Sequence, residues 1–231
     1  MTTSTLSPKK LMVAGIALSA ALGLGACSSG DASASDSSSS SSSEQIARPE
    51  PIASLPAIPA GGSTAVALDA DFVAALGSLG LTPATVGDAT LADGSVSFPI
   101  TGGTVTVFDK SSGYRPYVQG TLLHQNSGLS LTAGGTTVEL TNFTVDPGTP
   151  ARLFGDVAVN GQQAAASAPL FDLNGSTLNP ISMDAEGNAV LQGTTVKLSP
   201  EAAALLNQTF GTDALAGGLV IGIATITVPT S

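Results

Sequence analysis

Between Val96 and Leu198 apolar residues repeatedly alternate with small polar ones. Val96, Phe98 and Ile100 alternate with Ser97 and Pro99, and Val105 and Val107 with Thr104 and Thr106. Similar short runs follow at Leu129–Leu131, Val138–Leu140, Phe143–Val145, Val157–Val159, Val190 and Val196–Leu198. A period of two sends successive side chains to opposite faces, so each run predicts a strand with one buried face. Gly102-Gly103, Gly134-Gly135, Asn160-Gly161 and Asn174-Gly175 punctuate them. Gly and Asn accept positive φ, which makes these pairs hairpin signals. Two stretches switch to a helical period. Asp69 is an N-cap for a helix through Leu79, with Leu68, Phe72, Leu76 and Leu79 on one face and Gly80 past its end. Ser199 caps a second helix, with Pro200 at its first position, Glu201 at the positive end of its dipole, and Gly211 at its stop. Leu219 to Val228 then reads as a largely buried final strand. Nothing alternates βαβ along the whole length, so a parallel α/β fold is not expected. The pattern predicts a mainly β fold: an antiparallel β-sandwich or curled sheet with two short covering helices. It forms a single globular domain over residues 63–231, a size that supports one ordinary core. Gly135–Leu140 (GTTVEL) recurs as Gly193–Leu198 (GTTVKL), with Gly103–Val107 a looser copy. Either the sheet halves are duplicated or threonine-rich hairpins simply look alike.

The N-terminal residues follow a different pattern. Lys9 and Lys10 precede an apolar run, Leu11 to Ala26, which is shorter than the roughly 20 residues needed to span a bilayer as a helix. A charged start, an apolar stretch and small residues before a cut site make a secretory signal peptide over residues 1–26. Leu24-Gly25-Ala26-Cys27 resembles the lipobox of bacterial lipoproteins. The resemblance implies that the thiol of Cys27, the chain's only cysteine, takes a diacylglycerol, with acyl chains such as palmitate, and that Cys27 becomes the mature N-terminus. The address it implies is the extracytoplasmic face of the cell membrane, in the cell envelope, with the lipid as membrane anchor. A simply secreted protein cut after Ala26 is the alternative. Residues 27–62 then read as a tether. Ser37–Ser43 cannot bury enough apolar surface to offset the entropy of ordering. Pro49, Pro51, Pro56 and Pro59 make the following stretch extended and semi-rigid.

Charge and composition narrow the function. The formal net charge is −10, and removing Lys9 and Lys10 with the signal makes it more negative still. Such a surface repels phosphate backbones, so no nucleic-acid partner is expected. One histidine and one cysteine leave no zinc cluster, and there is no Gly-x-Ser-x-Gly elbow or phosphate-binding glycine loop. Asp184-Ala185-Glu186-Gly187-Asn188 is loosely spaced like a calcium loop but lacks the terminal acid, and reads better as a solvated turn. No catalytic or metal-ligating residues are assigned, and the chain is not expected to be an enzyme. What stands out is that Tyr114, Arg115, Tyr117 and His124 fall close together, including both tyrosines and the only histidine. Tyr and Arg dominate binding hot spots, and His124 is a candidate ligand or pH-sensitive contact. The plainer alternative is that the tyrosines close a hairpin and His124 faces water.

The pattern Gly120 … His124 … Gly128-Leu129-x-Leu131 … Leu140-x-Asn142 … Val145-Asp146 … Gly155-Asp156-Val157 resembles the core of HtaA-type haem-transport domains of high-GC Gram-positive bacteria. The resemblance extends over about residues 95–228. It implies haem held by a tyrosine near the domain's start and supported by a histidine, onto which His124 maps. The corresponding early stretch here, Leu68 to Gly94, contains no tyrosine. Two expectations follow. One is a surface-tethered lipoprotein with a non-enzymatic binding domain for a cell-wall polymer, a protein or a small ligand, needing no cofactor. The other is a haem- or small-ligand-uptake lipoprotein using the Tyr114–His124 segment.

Overall fold

The structure, a computed structural model, describes residues 48–230. The expected signal segment, Cys27 and the serine run lie outside the described residues. In chain order the elements are β1 (Ala53–Leu55), β2 (Ser63–Leu68), α1 (Ala70–Ser78), β3 (Thr82–Gly87), β4 (Thr90–Ala92) and β5 (Ser95–Pro99). Next come β6 (Gly102–Val107), β7 (Val118–Ala133), β8 (Thr136–Asp146), β9 (Arg152–Val159) and β10 (Gln162–Asn174). The chain ends with β11 (Ser182–Met183), β12 (Ala189–Leu198), α2 (Pro200–Phe210) and β13 (Val220–Val228).

All these strands join one antiparallel sheet in the order β1-β6-β7-β8-β9-β10-β12-β13-β2-β5-β4, with β3 on β7 and β11 on β12. The fold is thus mainly β, a curled half-barrel sheet with two helices, rather than a sandwich of two sheets. The curl has a simple origin. Only Ile100 and Thr101 separate β5, paired to β2, from β6, paired to β7. One passage of chain therefore carries the sheet round from one side to the other. The Thr101 amide donates to the Leu123 carbonyl at 2.8 Å, and the Gln125 amide to the Thr101 hydroxyl at 3.0 Å.

A crease runs across four strands and sharpens the bend. Asn126, Asn142 and Ser167 adopt positive φ on β7, β8 and β10, and register shifts occur beside them. Polar side chains link the crease: the Asn126 amide donates to Asn142 Oδ1 at 3.1 Å and Asn142 Nδ2 to Asp156 Oδ2 at 3.0 Å. The Ser167 amide completes it, donating to Asp156 Oδ1 at 3.1 Å. An extra residue in a strand reverses its alternation. On β8, Val138 and Leu140 before the bulge and Phe143 after it are therefore all buried.

Both helices sit where their caps put them. Asp69 accepts from the Asp71 and Phe72 amides, and the Ser199 hydroxyl accepts from the Ala202 amide at 2.9 Å. Leu76 of α1 and Ala202, Ala203 and Leu206 of α2 are buried in the main core with Leu198, Leu170 and Val157. Among the described residues no helix is long and apolar enough to cross a membrane.

Some expectations shift. Gly134-Gly135 and Asn160-Gly161 do close hairpins. Gly102 and Gly103 instead lie inside β6, where a side chain on Gly103 would collide with the Thr121 carbonyl. Asn174-Gly175 ends β10 and leads into a longer connection. The two copies of the hexapeptide differ as well, since Gly135 is in a turn and Gly193 is at a bulge in β12. They are look-alikes rather than duplicated halves. Order also begins before Gly62: β1 pairs with β6, and Ile58 is buried against Ile100 and Leu122. The prolines that suggested a tether flank apolar residues that dock.

Candidate functional site

Away from the helices the inner face of the curl encloses a cavity of about 240 Å³. Its walls are inward-facing residues of successive strands, among them Val66, Leu153, Leu173, Val196 and Ile226. Three phenylalanines from separate strands pack edge to face against its wall. Phe98 and Phe143 lie 5.3 Å apart between ring centroids, and Phe143 and Phe171 6.4 Å. The lining includes three loop segments: Pro116 with Tyr117, Pro147–Thr149, and Gly175 with Leu178. A second apolar void of about 70 Å³ lies against α1 and shares Leu68, Val96, Leu129, Phe171 and Ile221 with the first.

Two of the four residues singled out by the sequence reach this cavity. His124, on β7, lines it and is 1% exposed, so the reading in which it faces water is corrected. The bulge that follows His124 and the turn of chain from β5 to β6 enclose it. Its Nδ1 lies 3.0 Å from the Pro99 carbonyl oxygen, which can only accept, so the proton is on Nδ1. Nε2 is then an acceptor, 3.2 Å from the Thr64 hydroxyl. His124 thereby ties β7 to both β5 and β2. Burial holds its pKa below the ordinary imidazole value, against the raising effect of the carbonyls of Pro99 and Phe98.

Tyr117 is the second residue of the four on the lining. Lys110 Nζ sits 4.6 Å and Arg115 Cζ 6.0 Å from its ring centroid. Tyr114 and Arg115 are elsewhere. Tyr114 packs edge-on against Phe108 at 4.8 Å, which explains it as a loop anchor. Arg115 is exposed and donates from Nη1 to the carbonyls of Lys110 at 3.2 Å and Tyr114 at 2.9 Å. The sequence reading missed Thr64 because one threonine among many carries no signal. It missed Lys110 because nothing linear ties it to Tyr117.

The chemistry available is that of binding. Among the described residues no three His, Cys, Asp or Glu side chains converge to hold a metal ion. Asp184 accepts from the Asn188 side chain at 2.8 Å and from the Glu186 and Asn188 amides, so its carboxylate is engaged in its own turn. A haem iron needs a donor free to face it. Both nitrogens of His124 are engaged within the protein, so it does not offer one directly. Of the two tyrosines proposed from the sequence, Tyr117 is the one whose phenol belongs to a residue of the cavity lining.

No family model matches the chain, and no curated protein matches it. Among solved structures the chain is similar to the C-terminal domain of HtaA from Corynebacterium glutamicum, at 14% identity and a TM-score of 0.49, over 76% of this chain and 97% of that one. It is also similar to the haem-binding protein HtaB from the same organism, at 11% identity and a TM-score of 0.44, over 76% and 95% of the two chains. A domain-swapped dimer variant of the HtaA domain aligns at 16% identity and a TM-score of 0.43, over 69% and 89%. Scores at this level assign no activity to the chain.

Proposed function

We propose that this is a non-enzymatic binding domain that takes an apolar small molecule into the curl of its sheet. The observation that carries the reading is the cavity itself: an apolar void of about 240 Å³ bordered by loops, with His124 and Tyr117 among its few polar groups. Such concave apolar sites with a few oriented polar groups are the usual form of small-ligand pockets. Together with the lipobox-like Leu24–Cys27 segment, it supports a ligand-uptake or carrier lipoprotein held at the extracytoplasmic face of the membrane. Loss of palmitate labelling in Cys27→Ala would test the anchor.

Haem uptake is the second reading, favoured by the meeting of Tyr117 and His124 on one lining. In it Tyr117 is the candidate iron ligand and His124 a supporting group. One titration separates the two readings. The purified domain should enhance the fluorescence of N-phenyl-1-naphthylamine, an uncharged apolar probe, at micromolar concentration, and should leave the Soret band of added haem unshifted. A Soret shift abolished by Tyr117→Phe would replace the first reading with the second. No response to either probe would overturn both.

A further inference from the structure

We infer that the ligand is an amphiphile with an anionic head held by Lys110 and Arg115 beside Tyr117 and an apolar body lying in the cavity; this rests on the binding reading above. In a chain of net charge −10, basic residues are scarce. Arg152 is already engaged, 3.1 Å from both Asp172 and Glu201. Lys110 and Arg115 are different. Both approach the ring of Tyr117, a residue of the cavity lining, and both are exposed. Among the described residues, neither lies within ion-pair distance of a carboxylate.

The acids that come close in sequence form no ion pair with them. Asp109 caps the short turn at Lys110–Ser112, its carboxylate accepting from the Ser111 amide at 2.8 Å. Asp146 pairs in register with Arg152, and its carboxylate accepts from the Gly148 amide at 2.9 Å, within its own turn. The two hydrogen bonds from Arg115 go to carbonyls, which orient the guanidinium and leave its charge in place. Two cations without an ion-pair partner beside a cavity in an acidic protein attract an anionic group there. The cavity's apolar walls could not hold a charge alone, because burying an unpaired anion is costly. A head at Tyr117 with the apolar body inside satisfies both conditions. The smaller void sharing Leu68 and Phe171 gives that body room to extend toward α1.

The test is displacement of N-phenyl-1-naphthylamine by dodecanoate, dodecyl phosphate and dodecan-1-ol, each in the wild type and in Lys110→Gln, Arg115→Gln and the double variant. In the double variant the anionic competitors should weaken about five- to tenfold, as expected for the loss of two partly exposed ion pairs. Dodecan-1-ol should move less than about twofold. A loss confined to the carboxylate or to the phosphate names the head. Equal losses for anion and alcohol, or none for either anion, would overturn the inference while leaving the cavity reading intact. Absence of probe binding in the wild type would instead sink the cavity reading, and this inference with it.

Discussion

The two ends of the curled sheet are made from the same strands by the same alternation, yet one is largely filled and the other hollow. At the filled end α2 presses Ala202 and Ala203 into the core, where Val138, Val157 and Leu170 are fully buried, and only a void of about 70 Å³ is left beside α1. At the hollow end Val145, Leu153, Leu173 and Leu191 point into the curl just as regularly, but the segments beside them are loops rather than helices. The crease at Asn126, Asn142 and Ser167 makes this possible by letting the halves of a strand on either side of a bulge both face inward. The comparison teaches that stability and binding are spatially divided. Apolar groups under the helices gain from close packing, whereas those around the cavity gain their remaining contacts only when something enters.

The largest expected effect tests that division directly. Leu170→Ala removes a side chain that is 1% exposed in the close-packed end and borders neither void, and should cost about 2–5 kcal/mol in urea unfolding, through lost burial plus an unfilled hole. Leu153→Ala removes a half-buried side chain that already borders a void and should cost about 1 kcal/mol, because little new cavity is created. Equal costs would mean that the two ends are packed alike.

The same division marks what was legible in the chain. The filled end was largely visible. The capping residues Asp69 and Ser199, Pro200 at the first helical position and the alternations at Val138–Leu140 and Val157–Val159 state their structure locally. Strand β10 was invisible, because Ala164, Ala165, Ala166 and Ala168 carry no period-two contrast and the strand forms by pairing with β9 and β12. The crease was hidden for a related reason: Val138–Leu140 and Phe143–Val145 read as two runs, and only tertiary pairing joins them into β8. At the site, the cluster of Tyr114, Arg115, Tyr117 and His124 drew attention to the right stretch. It could not separate the two residues that line the cavity from Tyr114, which anchors a loop, because that sorting depends on how β7 turns past β5.

A smaller effect concerns His124, which lies on the hollow end yet joins three strands. Its folded-state pKa is below that of the unfolded chain, because burial disfavours the charged ring. The unfolded state therefore takes up the proton first as pH falls. Stability from this group is full above about pH 6.5 and declines as pH drops from there toward the folded-state pKa, with a slope of at most about 1.4 kcal/mol per pH unit. Thr64 can rotate its hydroxyl to accept from a protonated Nε2, so the penalty comes from burial and not from a lost hydrogen bond. Urea unfolding from pH 8 to 5 should show the decline in the wild type and a shallower one in His124→Gln. If both slope alike, carboxylates account for the acid sensitivity and His124 does not.

The smallest change in stability should accompany a large change in binding. Ala151 borders the cavity and is only half-buried, so Ala151→Leu can push its extra carbons into open space. Overpacking penalties arise when added methylenes have nowhere to go, and here the void receives them. The variant should unfold within about 1 kcal/mol of the wild type while binding N-phenyl-1-naphthylamine about tenfold more weakly, since the ligand's own volume is taken. A stabilised variant that no longer binds would sharpen the comparison furthest, because the side chain would be acting as a permanent ligand. A variant that binds as before would place the ligand somewhere other than the hollow end.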